Sequence, residues 1–150
     1  MDTNKYYQLL LQTSYNNYEN AVKIFNTAKE FLKENISPNI YAEVIRACAT
    51  THRYSEGLKI IAEATATNKP LNENFYNSVI YLHLSDNKLM EALTTIQQMS
   101  SKDILPTYAT WIMLFKHTHD NEVMMKQSQQ ELEYLQKKQQ NRKQLNRMDQ

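Results

Sequence analysis

Tyr41, Tyr76 and Trp111 stand 35 residues apart, and each opens a similar apolar stretch: Ile40-Tyr41-Ala42-Glu43-Val44-Ile45, Phe75-Tyr76-Asn77-Ser78-Val79-Ile80 and Thr110-Trp111-Ile112-Met113-Leu114-Phe115. The aromatic is followed each time by apolar residues three and four positions on, which is one face of a helix. Another step of 35 back from Tyr41 reaches Tyr6, with Leu9 and Leu10 in the matching places. A period of this size restricts the chain to a stacked array, because one such unit cannot bury its apolar face alone and several in contact can.

The second half of the unit repeats as well. Tyr54-Ser55-Glu56-Gly57-Leu58 begins 13 residues after Tyr41, Leu89-Met90-Glu91-Ala92-Leu93 begins 13 after Tyr76, and Tyr18-Glu19-Asn20-Ala21-Val22 comes one residue earlier in its unit. Ala21, Gly57 and Ala92 thus share one helical place, where a small side chain lets a second helix pack closely against the first, and Leu93, Ile96 and Met99 supply its buried stripe. Each unit is predicted to be a helical hairpin. Pro38, Pro70 and Pro106, the three prolines of the chain, lie just before the next unit's first helix and mark the connections. With one glycine in 150 residues there is little for the tight turns of a sheet protein, and the predicted class is all-α. The units fall near 6–38, 40–73, 75–108 and 110–135, giving a repeat domain over 1–135 and a polar tail over 136–150.

Several chemistries find no support in the residues. Cys48 is the single cysteine, so an internal disulfide is excluded and the thiol reads as a small core residue. No apolar run is long enough to span a membrane. Met1-Asp2-Thr3-Asn4-Lys5, with no arginine before Arg46, does not have the pattern of a transit or secretory peptide. His117 and His119 are placed near the turn of the fourth unit, two apart on different faces, without HExxH or CxxC spacing, and no metal site is expected. Gly57 is alone, so there is no phosphate loop, and Glu131 and Glu133 read as solvated acids. No nucleophile and base are set together; neither catalytic residues nor a cofactor are expected.

The third unit resembles the pentatricopeptide repeat. Asn74-Phe75-Tyr76-Asn77-Ser78-Val79-Ile80, then Asn87-Lys88-Leu89-Met90-Glu91-Ala92-Leu93, then Met99 and Ile104-Leu105-Pro106, match that family's aromatic opening, central Ala, late Met and closing Pro. The resemblance extends over roughly residues 6–135, and the 35-residue period separates it from the 34-residue tetratricopeptide repeat. The fourth unit departs from the pattern, with Gln127 and Ser128 where small and apolar residues are due, and reads as a polar cap. The resemblance implies a right-handed α-solenoid of about four antiparallel hairpins with a polar C-terminal helical extension. It also implies single-stranded RNA binding in mitochondria or chloroplasts, one base per repeat. The base-reading positions carried over are Asn77 and Thr107 in the third unit, Ala42 and Asn72 in the second, and Tyr7 and Ser37 in the first. Asn77 and Thr107 can both hydrogen-bond a base edge, whereas Ala42 can neither donate nor accept through its side chain and Tyr7 could stack but not discriminate well.

Charge points toward protein rather than RNA along the repeats. Residues 1–135 hold 12 basic and 15 acidic side chains, a formal charge of −3. The first helices, which would line the concave face in this family, are nearly uncharged: Asn74 to Leu84 carries no charge and Ile40 to Thr50 only Glu43 and Arg46. Such a face suits docking to protein better than following phosphates. The tail is basic, with Lys137, Lys138, Arg142, Lys143 and Arg147, and reads as an arm for RNA or an acidic surface. The expected role is a non-catalytic scaffold or accessory subunit of a large mitochondrial assembly such as a ribosome or respiratory complex. Its partners would be protein subunits and, through the tail, RNA. The alternative is a free single-stranded RNA-binding factor in organellar transcript processing or stability.

Overall fold

The computed structural model describes residues 2–148, apart from the side chains of 123–125, 127, 128, 131, 132 and 148. Seven α-helices follow in order: α1 (Thr3–Gln12), α2 (Tyr18–Leu32), α3 (Pro38–Thr50), α4 (Tyr54–Ala66), α5 (Glu73–Ser85), α6 (Leu89–Ser101) and α7 (Tyr108–Met148), with a 3-10 turn at Lys33–Asn35 after α2. No strand occurs among the described residues, and the fold is an all-α helical repeat. The chain divides into two compact units, Met1–Trp111 and Ile112–Gln150.

In the first unit three hairpins are formed, α1 with α2, α3 with α4, and α5 with α6. The first helices form the spine: α3 packs on both α1 and α5 as well as on its own partner. Nine of the 13 residues of α3 and nine of the 13 of α5 are buried, against Gly57 and Ala64 alone in α4 and Ala92, Thr95 and Met99 in α6. Burying a Val, Leu, Ile or Phe side chain stabilises by about 1.5–3 kcal/mol, so most of the apolar stabilisation resides in these two helices. Cys48 is buried there, and burial pushes its thiol up to about 11.

The small positions act as the spacing predicts, and Gly57 does more. Ala21 and Ala92 are fully buried. A Cβ on Gly57 would meet Leu82 Cδ2 at 2.5 Å, so here the close approach is to α5 of the next hairpin.

Helices end without glycine. The chain turns at residues with positive φ: His52 (57°) between α3 and α4, Asn87 (58°) between α5 and α6, and Asp103 (60°) after α6. At each, the next N–H reaches back to close a Schellman turn, Arg53 to Cys48 O (2.8 Å), Lys88 to His83 O (2.8 Å) and Ile104 to Met99 O (2.9 Å). Pro38 differs from its expected place: it is the first residue of α3, where a proline costs no hydrogen bond.

The fourth hairpin is not formed, and α7 runs unbroken from Tyr108 to Met148. Where His52 and Asn87 turn the chain, the same register offers Glu122, a helix former ill-suited to positive φ. Trp111, fourth in the aromatic register, is 54 % exposed and Tyr6, the first, 47 %, whereas Tyr41 and Tyr76 between them are 6 % and 5 %. His117 and His119 therefore lie within a helix and not near a turn: His117 Nε2 is 2.8 Å from Asn121 Nδ2 and His119 stacks on Phe115. The side chains of Gln127 and Ser128, read as a polar cap, and of Glu131 lie outside the described ones.

Candidate functional site

Ser37, Asn72 and Thr107, carried over as base-reading positions, fall at the N-termini of the first helices, and Asp2 has the same place before α1. Asp2, Ser37, Asn72 and Thr107 are 35 residues apart and each immediately precedes a first helix. Asp2 Oδ1 accepts from Asn4 N (3.1 Å), Ser37 Oγ from Asn39 N (3.1 Å) and Asn72 Oδ1 from Phe75 N (3.0 Å). These are N-caps, and a side-chain oxygen so used satisfies a backbone donor that the helix leaves unpaired. At the fourth position Thr107 N donates to Thr110 Oγ1 at 3.2 Å, closing the start of α7 from the other side.

Asn77 and Thr107 are brought together. Asn77 Nδ2 donates to Thr107 Oγ1 at 3.3 Å, and the Thr110 hydroxyl donates to Asn77 Oδ1. Asn77 is only 6 % exposed and Thr110 fully buried, so the amide ties α5 to the start of α7. Asn72 also spends its amide internally, donating to Asn39 Oδ1 at 2.9 Å. Ala42 is fully buried. Tyr7 is half-buried, its ring edge-on to Tyr6 and tilted against Phe31.

A second polar ladder was not anticipated. Asn4, Asn39 and Asn74 follow the same 35-residue period, a signal present in the sequence. Asn4 Oδ1 accepts from Ser37 N at 2.7 Å, and Asn39 Oδ1 accepts from Asn74 Nδ2 at 3.0 Å, so Asn4 and Asn39 each bridge to the next unit. One turn further along, Glu43 is 1 % exposed. Its Oε1 accepts from Gln8 and Gln12 Nε2, both at 3.3 Å, and its Oε2 from the Tyr15 hydroxyl. Burial, with the bond to Glu43 and its charge, pushes the Tyr15 phenol up to about 12. Arg46 continues the series into α5, donating from Nε to Ser78 Oγ (2.9 Å) and from Nη2 to Asn74 Oδ1 (3.0 Å). The two charges of α3 thus serve as bridges between units, and the hydrogen bonds they make offset part of the cost of taking charge out of water.

The second row of helices carries a different chemistry. Lys29 of α2 reaches Glu63 of α4 at 3.0 Å and lies 4.4 Å from the centroid of the Phe25 ring. His83 of α5 is bonded through Nδ1 to the Tyr54 hydroxyl at 2.8 Å, and burial lowers its pKa against the opposing charge of Glu91. Among the described residues no group of three or more His, Cys, Asp or Glu is placed to hold a metal ion, and no helix is long and apolar enough to cross a membrane.

In the second unit, Lys137, Lys138, Arg142, Lys143 and Arg147 are all exposed on α7. At helical spacing they fan around the axis and form no single stripe.

Repeated hairpins with interlocked first helices define a helical-repeat binding protein. The family model described as pentatricopeptide repeat-containing protein matches residues 39–146, and the chain belongs to that family. The match includes α3 to α6 and most of α7. No curated protein matches the chain.

Proposed function

We propose that this chain is a non-catalytic scaffold or accessory subunit of a large mitochondrial assembly, such as a ribosome or respiratory complex, and that it binds neighbouring proteins through its repeats. Asn77 and Thr107 carry this reading. The pair with the right polarity to read a base is bonded to itself and to Thr110, and a nucleobase would have to displace those bonds at about 1–3 kcal/mol for each buried group left unpaired. The first helices also lack the basic track that phosphate binding needs, since Arg46 is spent on Ser78 and Asn74. RNA contact is assigned to the exposed basic residues of the tail, Lys137, Lys138, Arg142, Lys143 and Arg147. The mitochondrial location follows from the pentatricopeptide repeat family alone.

Truncation separates the two roles. Removing residues 136–150 should abolish most nucleic-acid binding while the protein partners that co-purify with the full chain remain. At about 0.7 per phosphate on a single strand, up to five contacts give a log-log salt slope no steeper than roughly −3.5 for the full chain, and a slope near zero after truncation. Tight binding of one RNA sequence by residues 1–135, lost on Asn77→Ala and Thr107→Ala, would instead establish the free transcript factor.

A further inference from the structure

The two seams between successive hairpins are built on the same register but filled differently. In the first, the Phe25 ring of α2 stands edge-on to Tyr41 at 5.6 Å, and the Lys29–Glu63 pair closes α2 against α4. In the second, allowing for the residue missing from the first unit, Ile61 takes the place of Phe25, Thr65 that of Lys29 and Gln98 that of Glu63. The aromatic and both closing charges are gone, while the floor is kept: Tyr76 and Val79 stand where Tyr41 and Val44 stand. The outcome is a groove of about 250 Å³ between α4 and α6, floored by Phe75, Tyr76 and Val79 and walled by Ile61, Thr65 and Gln98.

Size and charge select the occupant. A cavity on the order of 150 Å³ takes a benzene ring, and small-molecule and cofactor pockets run to about 300–1,000 Å³. The groove therefore matches one aromatic side chain with its flanking backbone better than a free metabolite. The one charge lining it is Lys102, whose Nζ stands 5.9 Å from the Tyr76 ring centroid and has no carboxylate partner among the described residues. An acid in the occupant would restore the kind of ion pair that Glu63 and Lys29 make one seam earlier.

We propose that the groove between α4 and α6 is a docking slot for a phenylalanine or tyrosine side chain of a partner protein, with an aspartate or glutamate beside it meeting Lys102. The slot rests on the reading of the chain as a binder of neighbouring proteins and gives that reading a surface. The ring would stand on Tyr76 as Phe25 stands on Tyr41, supplying from outside what the chain supplies itself in the first seam.

The test uses the full chain and three synthetic peptides: a capped octapeptide with Phe flanked by Asp and Glu, the same with Phe replaced by Ala, and the same with the acids replaced by Lys. Methyl NMR of Ile61, Leu71 and Val79 reads the slot directly. The acidic Phe peptide should shift these methyls saturably, and the other two should bind at least tenfold more weakly. Ile61→Phe should close the slot from within, abolishing the shifts while keeping or raising the melting temperature. Lys102→Glu should remove the preference for acid over Lys peptide. Equal binding of all three peptides, or unaltered binding by a folded Ile61→Phe chain, would overturn the slot. If the slot fails while partners still co-purify, the subunit reading stands without it; if the peptide binds and no assembly co-purifies, only the subunit reading falls.

Discussion

The first helices α3 and α5 and the second helices α4 and α6 are all 13 residues long, yet they hold the molecule together by opposite means. The first are buried nearly all round and joined unit to unit by satisfied polar ladders, Asn39 to Asn74, Glu43 to Gln8 and Gln12, Arg46 to Ser78. The second bury one narrow stripe and meet across the seams only through side chains, closed by Lys29 and Glu63 at the first and open at the second. The difference teaches that the repeat fixes its register through the inner row and leaves the outer row free to vary. A pair one-third or more exposed, as Lys29–Glu63 is, contributes only about 0–1 kcal/mol. An outer seam can therefore lose its ion pair without loss of the fold.

The largest break in that contrast should come at Glu43. Glu43→Ala leaves the part-buried Tyr15 hydroxyl and Gln8 amide without their acceptor beside a buried void, and the expected loss is about 2–3 kcal/mol by urea denaturation. Asn77→Ala should cost about 2 kcal/mol, because Thr110 is left buried without its acceptor. A loss below about 0.5 kcal/mol would mean the amide is free and available for a ligand.

Gly57 tests where the two rows touch. Alanine gains about 1 kcal/mol in helix propensity, but its Cβ would fall 2.5 Å from the buried Leu82, and overpacking costs about 1–3 kcal/mol. Gly57→Ala should therefore lose about 1 kcal/mol net. In a Leu82→Ala background the same change should turn stabilising, and a double-mutant cycle without that reversal would remove the assigned contact.

The pH dependence sharpens the picture at His83, where an outer tyrosine meets an inner helix. Its folded pKa lies below the ordinary 6.5, so the unfolded chain takes up the proton first. The stabilisation is fully present above pH 6.5 and is lost as the pH falls below it toward the folded value. Between pH 7 and 5 stability should decline by at most about 1.4 kcal/mol per pH unit on this account, and His83→Gln should flatten the slope. The smallest effect is expected on the outer row: Met90→Ser, at a position exposed on α6, should stay within about 0.5 kcal/mol.

Much of the helical framework, inner row and outer, was legible because its signals are local or strictly periodic. The aromatic register, the small residues at Ala21, Gly57 and Ala92, and the all-α composition each follow from helix geometry. Asn77 and Thr107 were paired by the family resemblance alone, and what the two do on meeting was not legible. Thr110, in the first turn of α7, joins the pair by donating to Asn77 Oδ1 and standing 3.3 Å from Thr107 Oγ1. The turns were less legible, because His52, Asn87 and Asp103 take positive φ where glycine is the usual sign. The missing fourth hairpin was obscured for the complementary reason: Trp111 preserves the opening of a unit while Glu122 withholds its turn.

By itself the sequence determined the period, the helical class and the family, since each depends on residue spacing along one chain. Tertiary structure alone decided which polar side chains remain free for a partner. Hydrogen-bond satisfaction depends on distances between elements some 35 residues apart: it buries Glu43 among three donors, spends Asn77 on Thr107 and Thr110, and leaves Lys102 beside an open groove.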